Sequence, residues 1–496
     1  MSEIVQNRGL VARARSVGDR FGIWLILLLG ALTRFIGLGY PKQLVFDETY
    51  YVKDAYTLSK LGYEAAWPDT ANNSFTSGNP NVFYTNEASF VVHPPLGKWI
   101  ISLGINLFGA QNSFGWRFSV AVLGTAAIFL IYLVSAKLLG SKRWALVAAF
   151  LLAIDGHAIV LSRTSLLDGI LMFFVLLGFY FLLLDRERSF LQPLRRPWLV
   201  AMSITLGAAA AVKWSGLYVL VFFAAYVLVS DLLRWWKLSE GKGWPGQVVL
   251  RAASTFVLTL PLAVLTYLAS WTGWLTTSGG YFRDYVYPKG ELTPLLAWMP
   301  APLQALWYYH TEAYNFHVNL HASHPYAASP LGWLLMLRPT SFFYEGYKNG
   351  QMGCTASEGC SSAITALGNP AIWWVATVAV ILLAIRWVRT RERVAGLILL
   401  GLGAGYLPWM GYLSRTVFQF YSIVFLPFML MALVYLLRDQ VMAHAPDVTR
   451  MNKSLGRTLY YLIGTLALSA FFLPIWTGWV VPYRFWLIHM WLPSWI

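Results

Sequence analysis

Residues 22–40 read GIWLILLLGALTRFIGLGY. A helix needs ~20 mostly apolar residues to cross the hydrocarbon core of a bilayer. This run supplies them with one charge inside it, Arg34. The basic lead Arg8, Arg13, Arg15 and Arg20 precedes it. The apolar run is too long for a signal-peptide core, so it predicts a retained membrane span. Ten more stretches of the same kind follow, near 115–138, 144–161, 167–184, 198–213, 216–234, 252–272, 371–386, 395–412, 417–437 and 458–476. The expectation is an all-α integral membrane protein with about eleven transmembrane helices. Composition agrees, with 57% hydrophobic and 12% charged residues and a mean hydropathy of +0.55. An ordinary soluble protein carries roughly 25% charged residues. So few charges exclude a soluble multidomain enzyme, and so many apolar residues exclude disorder.

The net charge of +15 raises the question of nucleic acid. Its distribution gives a different answer. With the N-terminus in the cytoplasm, short inner segments hold 23 Lys and Arg, and the longer outer segments hold 13. That bias predicts N-terminus in and C-terminus out, with the basic loops against anionic lipid and no nucleic-acid partner. Two outer segments are long, 41–113 and 273–370, within a single transmembrane domain spanning 1–496. The only cysteines, Cys354 and Cys360, fall in the second, where an oxidising compartment allows a bridge between them.

The candidate chemistry gathers on the outer side. Asp47 and Glu48 are adjacent in Phe46-Asp47-Glu48-Thr49-Tyr50-Tyr51, directly after the first span. Such a pair serves as base plus positioning group, binds a metal, or simply stabilises a helix N-terminus. In His93-Pro94-Pro95-Leu96-Gly97-Lys98 the prolines set up a helix start, and Lys98 in its first turn suits an anion. Arg117, Arg163, Lys213 and Arg415 sit at outer span ends, where charges are costly and usually functional. Together they suit a lipid-linked phosphate, although snorkelling explains any single one of them as well. Arg163 and Asp168 are close enough in sequence to pair with each other. Four of the eight histidines fall between His310 and His324. His317 and His321 have the i, i+4 spacing of a zinc pair. Hydrogen bonding to sugar, phosphate or backbone is the favoured reading, with a divalent cation as the weaker one.

Taken together, these motifs resemble the protein O-mannosyltransferases, glycosyltransferase family 39, of GT-C architecture. The resemblance rests on Phe46 to Tyr51, His93 to Lys98, Gly115-Trp116-Arg117, Arg163 to Asp168, Val212-Lys213-Trp214-Ser215-Gly216, His324-Pro325-Tyr326 through Arg338-Pro339, and Arg415 to Tyr421. The Asp-Glu and His-Pro-Pro pieces are also similar to GT-C aminoarabinose transferases. The stretch from His324 to Pro339 is the discriminating one. Eukaryotic members carry a β-trefoil MIR domain between spans seven and eight. Here that loop has about 100 residues and no such domain, as in the actinobacterial members.

The resemblance implies transfer of mannose from polyprenyl-phosphate-mannose to Ser or Thr hydroxyls of exported polypeptides. The implied place is the outer face of a bacterial plasma membrane, near the translocon. A β-linked donor giving an α-mannoside implies inversion in one displacement, hence one general base and a stabilised phosphate leaving group. Asp47 is the expected base, and Glu48 is expected to orient acceptor or sugar. His93, Lys98, Arg117, Arg163, Asp168, Lys213, His324, Tyr326, Arg338 and Arg415 are the expected donor-site residues. No cofactor or metal is required, because a leaving phosphate is already stable. The alternative is another GT-C transferase that moves a polyprenyl-phosphate-linked sugar onto lipid or glycan. A transporter fits poorly, since transporters keep their coupling charges near the bilayer midplane.

Overall fold

The computed structural model describes residues 21–188, 192–240, 242–288 and 298–496. The basic lead Arg8 to Arg20 therefore lies outside the described residues. The first half of the chain forms α1 (Phe21–Phe35), α2 (Glu48–Leu61), α3 (Ala71–Thr76), α4 (Leu96–Phe108), α5 (Ser113–Leu139), α6 (Lys142–Ile154) and α7 (Gly156–Leu161). There follow α8 (Leu167–Arg188), α9 (Pro197–Val212), α10 (Ser215–Ser239), α11 (Trp244–Ser270), α12 (Thr272–Thr276) and α13 (Ala301–Val318). The C-terminal part holds β1 (Ser341–Tyr347), β2 (Cys360–Thr365), α14 (Pro370–Thr390), α15 (Arg393–Tyr406), α16 (Leu426–Met442), α17 (Val448–Thr477), β3 (Val480–Pro482) and α18 (Tyr483–Leu487).

Among the described residues, seven helical segments are long and apolar enough to cross a membrane: α5, α8, α10, α11, α14, α17, and α15 with the short 3₁₀ segment after it. Each of the other expected stretches also has a helix, but a shorter or broken one. The first stops at Phe35, short of the expected Tyr40, and its successor Gly37 has a φ of 66°, which glycine alone adopts freely. The stretch 144–161 breaks at Asp155, which caps α7 through Oδ1 to the Ala158 N–H at 3.1 Å. Its Oδ2 accepts from the Asn369 N–H at 3.1 Å and Trp373 Nε1 at 3.0 Å, which ties the break to the start of α14. The stretch 417–437 opens as a 3₁₀ segment, Gln419–Val424, before α16.

Lipid offers little hydrophobic force between helices, so close approach does the work. Gly207 on α9 faces α11 so tightly that a Cβ there would lie 2.6 Å from the Ala263 carbonyl oxygen. Gly104 on α4 does the same against α5, with 2.1 Å to the Gly115 oxygen.

The all-α expectation needs one correction. β1, β2 and β3 form an antiparallel sheet in that order, with β1 and β2 inside the second long segment and β3 after α17. β1 is rich in aromatic residues, which favour a pleated, half-buried surface. Tyr40 reaches the sheet through its hydroxyl, 3.1 Å from Ser362 Oγ. Cys354 and Cys360 are bridged, with 5.7 Å between their Cα atoms, and the bridge pins the β1–β2 connection to the start of β2.

Candidate active site

The site is built at the turn into α2. Phe46 has a φ of 49°, a costly conformation for a residue with a side chain. Its ring is held by His324, Phe342, Phe418 and Phe420, with centroids 5.2–5.8 Å away. The next residue, Asp47, occupies the N-cap of α2 but makes no capping hydrogen bond. The position is thus used to aim a carboxylate, not to finish a helix. Asp47 lines a cavity of about 530 Å³ together with Tyr51, His93, Lys98, His324 and Arg415. Burial raises its carboxyl to about 6. Lys213 opposes the rise, Asp168 adds to it, and a hydrogen bond from Tyr51 opposes it.

Glu48, one residue on, has a different fate. Its Oε1 accepts from Arg117 Nε at 2.8 Å and the Ser165 N–H at 2.9 Å. Its Oε2 accepts from Arg117 Nη2 at 2.8 Å and the Val45 N–H at 3.1 Å. Arg117 spends its remaining donors on the carbonyls of Leu38, Pro41 and Gln43. Glu48 and Arg117 are both fully buried, and neither lines the cavity. The pair fixes the loop between α1 and α2. Expecting Glu48 at the acceptor and Arg117 at the phosphate is corrected by this geometry, because no donor or acceptor is left over.

Arg163 is likewise committed. It donates to the carbonyls of Thr33, Arg34, Ile36 and Gly37 and closes the end of α1. It does not pair with Asp168, which instead accepts from Lys213 Nζ at 2.9 and 3.2 Å. Lys213 sits 3.6 Å over the Tyr421 ring. Arg338 stacks on Tyr326 at 5.0 Å and donates to the carbonyls of Pro325 and Ile496. That pair ties two surface segments together outside the cavity, so its expected place at the donor is also corrected.

His93, Lys98, His324, Lys213 and Arg415 do converge. Lys98 is held by Glu64 and by the His93 carbonyl at 3.1 Å. His93 stands 5.2 Å from the His317 ring, and its Nδ1 is buried with no hydrogen-bond partner among the described residues. Burial and the cations Lys213, Lys98 and Arg415 keep it well below its ordinary value, so it is neutral. His317 donates from Nε2 to the Val92 carbonyl at 2.9 Å, and its Nδ1 accepts from Arg415 Nη2 at 3.1 Å. Its own carbonyl takes Arg415 Nε at 2.8 Å. Burial lowers His317 to about 4. Arg415 has no carboxylate partner among the described residues. It stands in the wall between the large cavity and a second one of about 250 Å³, lined by Trp214, Leu217, Tyr218, Tyr314, Trp409 and Tyr412.

The expected His317–His321 pair does not form on one helix. α13 ends at Val318, and His321 donates from Nδ1 to the Ser414 carbonyl at 2.9 Å. His310 meets the Tyr267 hydroxyl at 2.6 Å. Among the described residues no three His, Cys, Asp or Glu side chains gather as a metal site. Sequence reasoning missed His317 as the holder of Arg415, and it missed Asp54, which also lines the large cavity. Asp54 lies seven residues after Asp47, a spacing that keeps both on one face of α2.

The family model for dolichyl-phosphate-mannose-protein mannosyltransferase matches residues 24–276. That for the C-terminal four-transmembrane region of protein O-mannosyltransferase matches 302–495. A polyprenol-phosphate-mannose–protein mannosyltransferase of Mycolicibacterium smegmatis is 31% identical over 95% of this chain and 92% of its own. One of Mycobacterium tuberculosis is 30% identical over 96% and 92%. In fold, the chain is similar to the S. cerevisiae Pmt1-Pmt2 protein O-mannosyltransferase complex bound to the sugar donor. The TM-score is 0.71 at 16% identity, covering 96% of this chain and 92% of that one. A multi-pass membrane chain with these matches along nearly its whole length belongs to the protein O-mannosyltransferase family.

Proposed function

We propose that this mannosyltransferase moves mannose from polyprenyl-phosphate-mannose to Ser and Thr hydroxyls of exported polypeptides, with inversion, at the outer face of a bacterial plasma membrane. The observation that carries the reading is Asp47, a carboxylate near pKa 6 in the same cavity wall as a guanidinium that has no carboxylate partner among the described residues. Asp47 takes the proton of the acceptor hydroxyl as its oxygen attacks the anomeric carbon. The bond from that carbon to the phosphate oxygen breaks, and the phosphate leaves with the electron pair. Arg415, with Lys213 behind it, stabilises the charge that develops there. The aromatic second cavity receives the first isoprene units, so the phosphate lies at the shared wall. His93 stays neutral and offers Nδ1 or Nε2 as a hydrogen-bonding partner. No residue here requires a metal for this displacement.

The eleven crossings, the cytoplasmic N-terminus and the outward C-terminus belong to the same reading. They are supported by the charge bias of the loops and by the Cys354–Cys360 bridge, which fits an oxidising side. The test is the purified protein in detergent with synthetic polyprenyl-phosphate-mannose and a Thr-rich peptide. Mannosylated peptide with the α configuration is expected. Retention of configuration, or transfer only to a lipid or glycan acceptor, overturns the reading.

A further inference from the structure

α2 presents a second carboxylate to the cavity. Asp54 follows Asp47 by two helical turns, about 11 Å along the axis, on the same face. It is 7% exposed and faces the same 530 Å³ space. Carboxylates this deep are normally paired. Glu48, on the same helix, has four donors. The Asp54 carboxylate has no hydrogen bond or ion pair among the described residues. The amine beside it, Lys98, is already bound to Glu64 and the His93 carbonyl. Burial raises the Asp54 carboxyl to about 7, with Lys98 opposing and Glu64 adding to the rise. A buried acceptor left open on a cavity is matched by a ligand that brings its own donors, and a sugar brings hydroxyls.

The spacing fits that ligand. The backbone positions of the two residues lie about 11 Å apart along the axis, a step of the order that one pyranose ring covers with a hydrogen bond of about 2.8 Å at each end. We propose that Asp54 reads the transferred hexose, its carboxylate accepting hydrogen bonds from ring hydroxyls on the side away from the anomeric carbon. Lys98, fixed by Glu64, flanks the same hydroxyls. The inference rests on the mannosyltransferase reading and adds a specificity residue to it.

The test uses the full chain in detergent and two probes, polyprenyl-phosphate-mannose and bare polyprenyl phosphate. Asp54→Asn and Asp54→Ala should weaken the mannosylated probe about tenfold to a hundredfold, the range for a lost hydrogen bond to a charged group. The bare probe should bind both variants as it binds the wild type, which also shows that they are folded. In the wild type, a donor lacking the contacted hydroxyl should lose a similar factor, with little further loss in Asp54→Asn. Equal weakening of both probes would make Asp54 structural and overturn the proposal, as would unchanged binding of the mannosylated one. A wild-type protein that transfers no mannose would overturn the functional reading itself, independently of the variants.

Discussion

The protein buries charge at both ends of its helix bundle, and the two ends differ in completeness. At the end formed by the α8–α9 connection and α10, Asp185, Arg186, Arg196 and Asp231 are all buried. Arg196 donates to Asp185 at 2.5 and 3.0 Å and to Asp231 at 2.7 Å. Arg186 binds Asp185, Asp231 at 2.6 Å and Ser230 Oγ at 2.7 Å. All four carboxylate oxygens are used, and the four charges sum to zero. At the other end, Glu48–Arg117 and Asp168–Lys213 are closed in the same way. Beside them, among the described residues, stand Asp47 without a capping bond, Arg415 without a carboxylate, and His93 with an unpartnered Nδ1. Buried charge alone therefore does not locate a site. Closed charge holds helices together, whereas open charge is what the proposed function assigns to a substrate.

The sharpest break of this contrast is Asp47→Asn, which keeps shape and removes basicity. Turnover at saturating donor and peptide should fall by about 10²–10⁴, the usual share of a general base, with donor binding little changed. The wild-type kcat/KM should also fall tenfold per pH unit below about 6, since only the deprotonated carboxylate accepts a proton. Near wild-type turnover in the variant, or a flat profile, would remove Asp47 from the role.

Asp231→Ala tests the closed end. It strands Arg186 and Arg196, and breaking a buried pair in this way costs about 3–5 kcal/mol. The thermal midpoint in detergent should drop, while turnover per folded molecule holds. A loss of turnover without a loss of stability would erase the distinction between the two ends. Arg415→Ala comes next, with donor binding about tenfold to a hundredfold weaker and little effect on folding. A purely structural Arg415 would lower the midpoint instead. The smallest effect belongs to Cys354→Ser. The bridge closes a loop between residues six apart, worth only about 2–2.5 kcal/mol in the chain-entropy model. Proteolysis within residues 348–359 should quicken, and turnover should stay the same.

Much of the fold was legible because spans are written in hydropathy alone. What escaped depends on partners distant in sequence. The break at Asp155 needs Asn369 and Trp373, and the sheet needs β3, more than 100 residues after β2. In the site, the motif marked the right turn but not the division of labour within it. Asp47 and Glu48 are equivalent in sequence. Only the position of Arg117, on another helix, decides which carboxylate is spent. The same holds for the cations, since Lys213 meets Asp168 and Arg415 meets a histidine. Asp54 was readable from its two-turn spacing, yet it carried no motif to draw attention to it.

Arg415 in the wall between the two cavities has a kinetic consequence. On the proposed mechanism the two products would depart by different doors, the modified polypeptide from the large cavity and the bare lipid phosphate from the aromatic one. Bare lipid phosphate should then act as a competitive product inhibitor against the donor lipid and as a noncompetitive one against the peptide. A slow exchange of lipids at that second door would set the steady-state rate, while peptides come and go at the first.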